Sequence, residues 1–186
     1  MDGEKTDEVI AEEVQHGNIE SFGLLVERYE NKISRYIFRS SMDTEDTKDL
    51  TQEVFLKAYV NIQSFDTSRK FSPWIYRIAH NEFVNAAKKK WRERMILMDF
   101  DLLFPHPVAK ETSDSDAEKK ELRRILENYL GQLSPKYREP LALYYFDDMD
   151  YREIAEILEI PTSTVGVRLQ RGRNILKTMV SKKHNI

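Results

Sequence analysis

The sequence predicts an all-α protein built as two small helical domains joined by a flexible linker. Three observations carry that expectation. Apolar residues recur at the helical spacing i, i+3, i+4, i+7 along most of the chain, and strand-type alternation is nowhere sustained. Caps and prolines stand where helices should begin, at Ser72-Pro73, Ser134-Pro135 and Asp150-x-x-Glu153. The stretch 96–117, ILMDFDLLFPHPVAKETSDSDA, breaks the helical pattern with Pro105 and Pro107 and ends polar and small. It divides the 186 residues into a first domain over 1–95, a linker over 96–117 and a second domain over 118–186.

Taken in order, Phe22, Leu25, Val26, Tyr29, Ile33, Tyr36 and Ile37 predict a helix over roughly 19–40, with Asn18 as its cap. Ser41–Asp43 reads as a turn. A second helix over roughly 45–62 carries Leu50, Val54, Ala58 and Ile62 on its apolar stripe. Asp43, Glu45, Asp46 and Asp49 crowd its start, where the helix dipole favours negative charge. Residues 63–72, QSFDTSRKFS, read as a loop, and Pro73 then opens a helix over roughly 73–94. Ile75, Ile78, Ala79, Phe83 and Ala86 share one face of that helix; Glu82 falls on the same face without an evident reason, and Arg77, Asn81, Val84 and Lys88 lie opposite.

In the second half, Leu122, Ile125, Leu126 and Tyr129 mark a helix over roughly 118–130, and Pro135 opens another that runs to about 146. The capping box at Asp150 precedes Ile154, Ala155 and Leu158. Pro161-Thr162-Ser163 opens the last helix, which contains Val165, Leu169, Ile175, Leu176 and Met179. The first half of the linker is apolar (Ile96, Leu97, Met98, Phe100, Leu102, Leu103, Phe104), a composition that docks rather than floats.

Composition excludes several classes. There is no cysteine, so disulfides, thiolate metal sites and thiol nucleophiles are out. The six glycines form neither GxGxxG nor GxxxxGK[ST], and His16, His80, His106 and His184 lack metal-ligand spacing. No cofactor, metal or catalytic residue is expected. No run of 18 apolar residues predicts a membrane span, and the acidic start MDGEKTDEVIAEE is no secretory signal, so a cytoplasmic protein without membrane insertion is expected.

The net charge of −3 hides segregation. Residues 1–30 carry nine acids and two bases, residues 69–94 eight bases and two acids, and residues 168–183 six bases and no acid. Two basic segments in an acidic protein predict two contact sites for a polyanion. In the second of them, Tyr151–Leu158, the turn Glu159–Pro161 and Ser163–Lys177 have the form of a helix-turn-helix, with Ala155 where two helices cross and Val165 on the inner face. A recognition helix meets bases through its N-terminal turns. That selects Thr162, Ser163, Thr164, Gly166, Val167, Arg168 and Arg171, with Arg173 a further cation able to reach phosphates and guanine edges. In the first basic segment, Phe65, Phe71 and Trp74 are interleaved with Arg69, Lys70 and Arg77, a combination suited to single-stranded DNA through stacking and phosphate contact. Asn81 and Lys88 extend the polar face of the same helix. Phe65 and Trp74 can instead be core residues, and Trp74, which borders the apolar stripe, fits the core equally well.

The segment YREIAEILEIPTSTVGVRLQRGRNILK resembles the region 4 helix-turn-helix of bacterial extracytoplasmic-function sigma factors, the smallest branch of the sigma-70 family. DLTQEVFLKAYVNIQSFDTSRKFSPWIYRIAHNEFVNAAKKKWR is similar to that family's region 2. The two matches cover roughly residues 20–94 and 118–180 in the family's order and spacing. The resemblance implies that Asp49, Gln52 and Glu53, which share one helical face, bind the β′ clamp helices of core RNA polymerase. It further implies a β-flap contact, a linker that threads through polymerase near the RNA path, −10 opening by the first domain and −35 recognition by the second. An anti-sigma factor is the inhibitory partner it implies. Two departures stand out: Glu159 occupies the turn position usually held by glycine, and Gly166 and Val167 replace a usual lysine and serine. A conventional helix-turn-helix repressor, which would dimerise on a palindrome, and an adaptor that binds polymerase without reading DNA are the rival readings of the residues.

Overall fold

The computed structural model describes residues 5–41, 44–94 and 116–184, and only the backbone at 41, 44–45, 90–94, 116–121 and 182–184. The described residues form eight α-helices, three 3-10 turns and no strand: α1 Asp7–Gln15, α2 Phe22–Ser41, α3 Thr44–Asn61, α4 Phe71–Arg94, α5 Asp116–Tyr129, α6 Pro135–Phe146, α7 Tyr151–Ile157 and α8 Thr162–His184. The chain divides into two compact helical units, Met1–Lys89 and Lys90–Ile186. Of the turn predicted over 41–43, Ser41 is the last residue of α2, and 42–43 lie outside the described residues, as does the apolar segment 96–104. Positions 116–117, read as the end of the linker, are already in α5.

In the N-terminal unit, α2 buries Leu25, Tyr29, Ile33, Tyr36 and Ile37, the predicted stripe without its two ends; Phe22 and Val26 are half-exposed. α3 contributes Val54 and Ala58, with Ile62 in the 3-10 turn that follows. α4 contributes Phe71, Ile75, Tyr76, Ala79 and Phe83. Each fully buried large side chain stabilises the unit by about 1.5–3 kcal/mol relative to exposure. Tyr29 meets Phe71 and Tyr36 meets Tyr76 edge to face, at centroid distances of 5.4 and 5.3 Å, which fixes α4 across α2. Glu82 is buried on the apolar face because Lys57 Nζ of α3 lies 2.7 Å from its carboxylate. A paired carboxylate tolerates such a position; an unpaired one does not.

Three expectations are corrected here. α1 was not foreseen in the acidic start. It is only nine residues long, with a stripe of Ile10, Ala11 and Val14, and the Thr6 hydroxyl caps it. Asn18 does not cap α2: it precedes the 3-10 turn Ile19–Ser21 and its side chain makes no capping bond. Ser72 does not cap α4 either, because the helix already begins at Phe71, which leaves Pro73 inside the first turn where a missing N–H costs nothing.

In the C-terminal unit, the capping box at α7 and the proline start of α6 hold, while the Ser134 side chain makes no capping bond. Ser134 is the N-cap of α6 with Pro135 at its first position. The Asp150 carboxylate accepts from the Arg152 and Glu153 amides, and Glu153 accepts in turn from the Asp150 amide. Leu126, Leu141, Leu143, Ile154, Ile157, Val165, Leu169 and Leu176 form its core. Gly172 sets the spacing of α6 and α8: a Cβ there would lie 2.6 Å from Leu141 Cδ1 and 3.2 Å from its Cγ, inside the fully buried Leu141 side chain.

Candidate nucleic-acid and polymerase interfaces

The loop between α3 and α4 begins where Phe65 turns inward. Phe65, Phe71 and Trp74 pack on one another at centroid distances of 5.1–5.4 Å, and all three are buried. This corrects the expectation that these rings offer a stacking platform: Phe71 is 0% exposed, so no base can reach its face. The rings are the internal support of the loop. The cations interleaved with them remain at the surface, Arg69 and Lys70 exposed and Arg77 half-buried. Asn81 and Lys88 are exposed on the same side of α4 as Arg77, at i+4 and i+11. Asp66 organises the loop tip by accepting from the amide and hydroxyl of Ser68 at 3.0 and 2.7 Å. Those two bonds, hydroxyl first, hold its carboxyl below the ordinary aspartate range.

On α3, Asp49, Gln52 and Glu53 are all exposed. Their stripe continues into apolar side chains that the sequence reading passed over: Leu56 and Val60 are 61% and 74% exposed. Positions 49, 52, 53, 56 and 60 follow one another up a single helical face. Gln52 and Leu56 also line an open groove between α2 and α3, together with Phe22, Val26, Phe55 and Tyr59. The signal for Leu56 and Val60 was present in the phase of α3, since they lie opposite the stripe of Val54 and Ala58.

The helix-turn-helix is formed by α7 and α8. Glu159 sits at φ +52°, the left-handed conformation that its turn position demands. The turn is therefore kept despite the missing glycine, at a cost of about 1–2 kcal/mol. Ile160 N–H donates to the Ala155 carbonyl at 3.1 Å, closing the turn. The predicted contacts on α8 divide sharply. Ser163 is exposed, and Thr162, Thr164, Val167, Arg168 and Arg171 are half-buried. Gly166 and Arg173 are buried and face the domain interior, so they are corrected to structural residues. Arg173 donates from Nε to the Tyr145 hydroxyl at 2.8 Å, and its guanidinium lies 5.7 and 5.8 Å from the Tyr144 and Tyr145 ring centres. Burial lowers the Arg168 pKa, while Glu139 and Tyr137 of α6 oppose that shift. Gln170 and Asn174 were not singled out, yet both are exposed and continue the face that starts at Ser163 and Val167. Amide side chains on such a face can pair with adenine edges. The phase of buried Val165, Leu169 and Leu176 would have located them, and would equally have placed residues 172 and 173 inside.

A helical unit with an acid-and-amide stripe and a cationic loop, followed by a helix-turn-helix unit, defines a helical protein of the nucleic-acid-binding class. The sigma-70 region 2 family matches residues 25–93 and the sigma-70 region 4 family matches residues 123–176. The ECF RNA polymerase sigma factor SigW of Bacillus subtilis is 35% identical over 173 residues, covering 89% of this chain and 91% of that one. The fold is shared with CnrH, solved in complex with the cytosolic domain of CnrY, at a TM-score of 0.68 and 24% identity over 96% of this chain and 99% of that one. It is also shared with the sigma factor RpoE of Bartonella quintana, solved with the anti-sigma factor NepR, at a TM-score of 0.67 and 20% identity over 87% and 98%. The chain belongs to the extracytoplasmic-function sigma factors of the sigma-70 family, and it acts in promoter-directed transcription initiation. Among the described residues, no helix is long and apolar enough to cross a membrane.

Proposed function

We propose that the chain docks on core RNA polymerase through the α3 face of Asp49, Gln52 and Glu53, extended by Leu56 and Val60, and holds promoter DNA at two separate places. The α3 face carries this reading. Large apolar residues standing in water beside a row of acids and an amide suit a partner that is both basic and apolar. Arg69, Lys70, Arg77, Asn81 and Lys88 then hold the opened −10 strand, with the three buried rings as their support. The outer face of α8, with Ser163 exposed and Val167, Arg168 and Arg171 half-buried, enters the major groove of the −35 duplex. The chain carries out no bond chemistry; polymerase supplies catalysis and its metal. The protein works in the cytoplasm, where core polymerase is. An anti-sigma factor holds it inactive, as NepR binds the similarly folded Bartonella factor.

The test is binding of the full chain to core polymerase. Reversing the stripe with Asp49→Lys plus Glu53→Lys should weaken binding by about 10- to 100-fold, as loss of a few charge-complementary contacts does. Gel shifts should show promoter DNA retained by chain plus core but not by the chain alone. Unchanged core affinity in the reversed variant would remove α3 as the docking face.

A further inference from the structure

The geometry points to Glu8 and Gln15 of α1 as positioning residues that hold the loop 65–70 from both of its ends; this rests on the reading of that loop as the −10 contact. Within the loop, Asp66 accepts from Ser68, and the Arg69 N–H donates to the Asp66 carbonyl at 3.0 Å. Both ends of the loop are tied to α1. The Gln15 side-chain amide donates to the carbonyls of Ile62 at 2.7 Å and Phe65 at 2.8 Å, spanning the last turn before the loop. Only a side chain with two donors on one nitrogen meets both carbonyls from that place. Gln63 returns the contact by donating to the Gln15 carbonyl at 3.2 Å.

At the far end, Glu8 Oε1 accepts from the Phe71 amide at 3.0 Å. Phe71 is the first residue of α4, and its amide is one of those that no intrahelical carbonyl can satisfy. A neighbouring Ser, Thr, Asp or Asn ordinarily does this work. Here the acceptor comes from 63 residues earlier, and it places a carboxylate at the positive end of the helix dipole. α1 is itself anchored to the body of the unit. Asp7 accepts from Arg28 at 2.6 Å and from the Tyr29 hydroxyl at 2.5 Å, and Glu13 accepts from Ser21 at 2.9 Å. The position of α1 therefore fixes both ends of the loop, and with them the placement of Arg69 and Lys70 relative to Arg77 and Asn81. Neither Glu8 nor Gln15 needs to touch DNA to set which −10 sequences are accepted.

The experiment is run-off transcription by core polymerase and full-length variants on promoters with a fixed −35 element and single-base changes in the −10 element. Glu8→Leu and Gln15→Leu should each reduce discrimination between −10 sequences by about fivefold, the worth of one net hydrogen bond. Core binding should be unchanged. Glu8→Gln keeps an acceptor oxygen and should restore discrimination. Gln15→Asn, too short to reach both carbonyls, should behave as Gln15→Leu while folding normally, and thermal melts verify that each variant is folded at the assay temperature. Folded strap variants that lose transcription equally on every −10 sequence, or that discriminate as the parent does, overturn the inference. Arg69→Ala plus Lys70→Ala is the reference. If it leaves the −10 pattern untouched, the loop is not the reader and both readings fall. If it changes the pattern while the strap variants do not, the loop reading stands and the strap is refuted.

Discussion

The two regions proposed to face DNA solve one problem in different ways. In the N-terminal unit the cations stand on a loop, which three rings support from within and α1 ties at both ends. In the C-terminal unit they stand on α8, whose hydrogen-bonded backbone needs no such strap and depends instead on a close helix contact at Gly172 and on Arg173 set against Tyr145. In both regions, residue types that suit nucleic acid divide into those that stand at the surface and those that brace them from inside. A ring or a guanidinium is a good brace for the reason it is a good ligand: it covers a large area and carries a directional polar edge.

The sharpest way to break this comparison is to remove a brace. Phe71→Ala should destabilise the N-terminal unit by about 3–5 kcal/mol, as large-to-small changes at fully buried aromatic sites do. Arg69→Ala, on the exposed loop beside it, should stay within about 0.5 kcal/mol of the parent. Thermal or denaturant unfolding followed by circular dichroism checks both. A smaller effect separates the two arginines of α8. Arg173→Ala should cost about 1–3 kcal/mol by removing its hydrogen bond to the Tyr145 hydroxyl and emptying a buried site. It should leave the salt dependence of −35 binding unchanged wherever the protein remains folded. Arg171→Ala should instead lower the slope of log affinity against log salt by about one, with little change in stability.

Smaller still is the turn. Glu159→Gly should stabilise the C-terminal unit by about 0.5–1 kcal/mol, since relief of the left-handed strain is partly offset by the greater freedom of glycine in the unfolded chain. Equilibrium unfolding measures it. The smallest effect concerns the loop tip. Asp66 has its pKa lowered in the folded protein, so its two bonds to Ser68 contribute fully above the ordinary aspartate range and are lost as the pH falls through the lowered folded value. Protection of the Ser68 amide, its exchange rate measured against the intrinsic rate at each pH, should fall over that acidic window, while protection in the core of α2 should not.

The order of α2 to α8, the capping box and the exposed acid stripe of α3 were legible because each depends on neighbours within four residues of one another, and the helix-turn-helix because its two helices follow one another directly in the chain. What escaped depends on distant partners. Glu82 is unremarkable as a surface acid and makes sense only beside Lys57. Glu8 is one acid among nine until its bond to Phe71 is seen. Phe65, Phe71 and Arg173 were read from composition, which reports what a side chain can bind but not which way it points. Helical phase, applied to Val165, Leu169 and Leu176, would have turned Arg173 inward and brought Gln170 and Asn174 to the surface. No comparable rule predicts that a short acidic helix at the start of the chain holds the ends of a loop some fifty residues away.

The central claim is that one chain, bound to core polymerase, contacts a promoter at two separate places. The most direct test is run-off transcription by purified core polymerase with and without the chain, on templates whose upstream and start-proximal segments are randomised independently. The account predicts two separate blocks of selected sequence at a fixed spacing, the upstream block lost in Arg168→Ala plus Arg171→Ala and the proximal block blurred in Arg69→Ala plus Lys70→Ala. Initiation indistinguishable from that of bare polymerase, or a single selected block that responds to both pairs of substitutions, would contradict it.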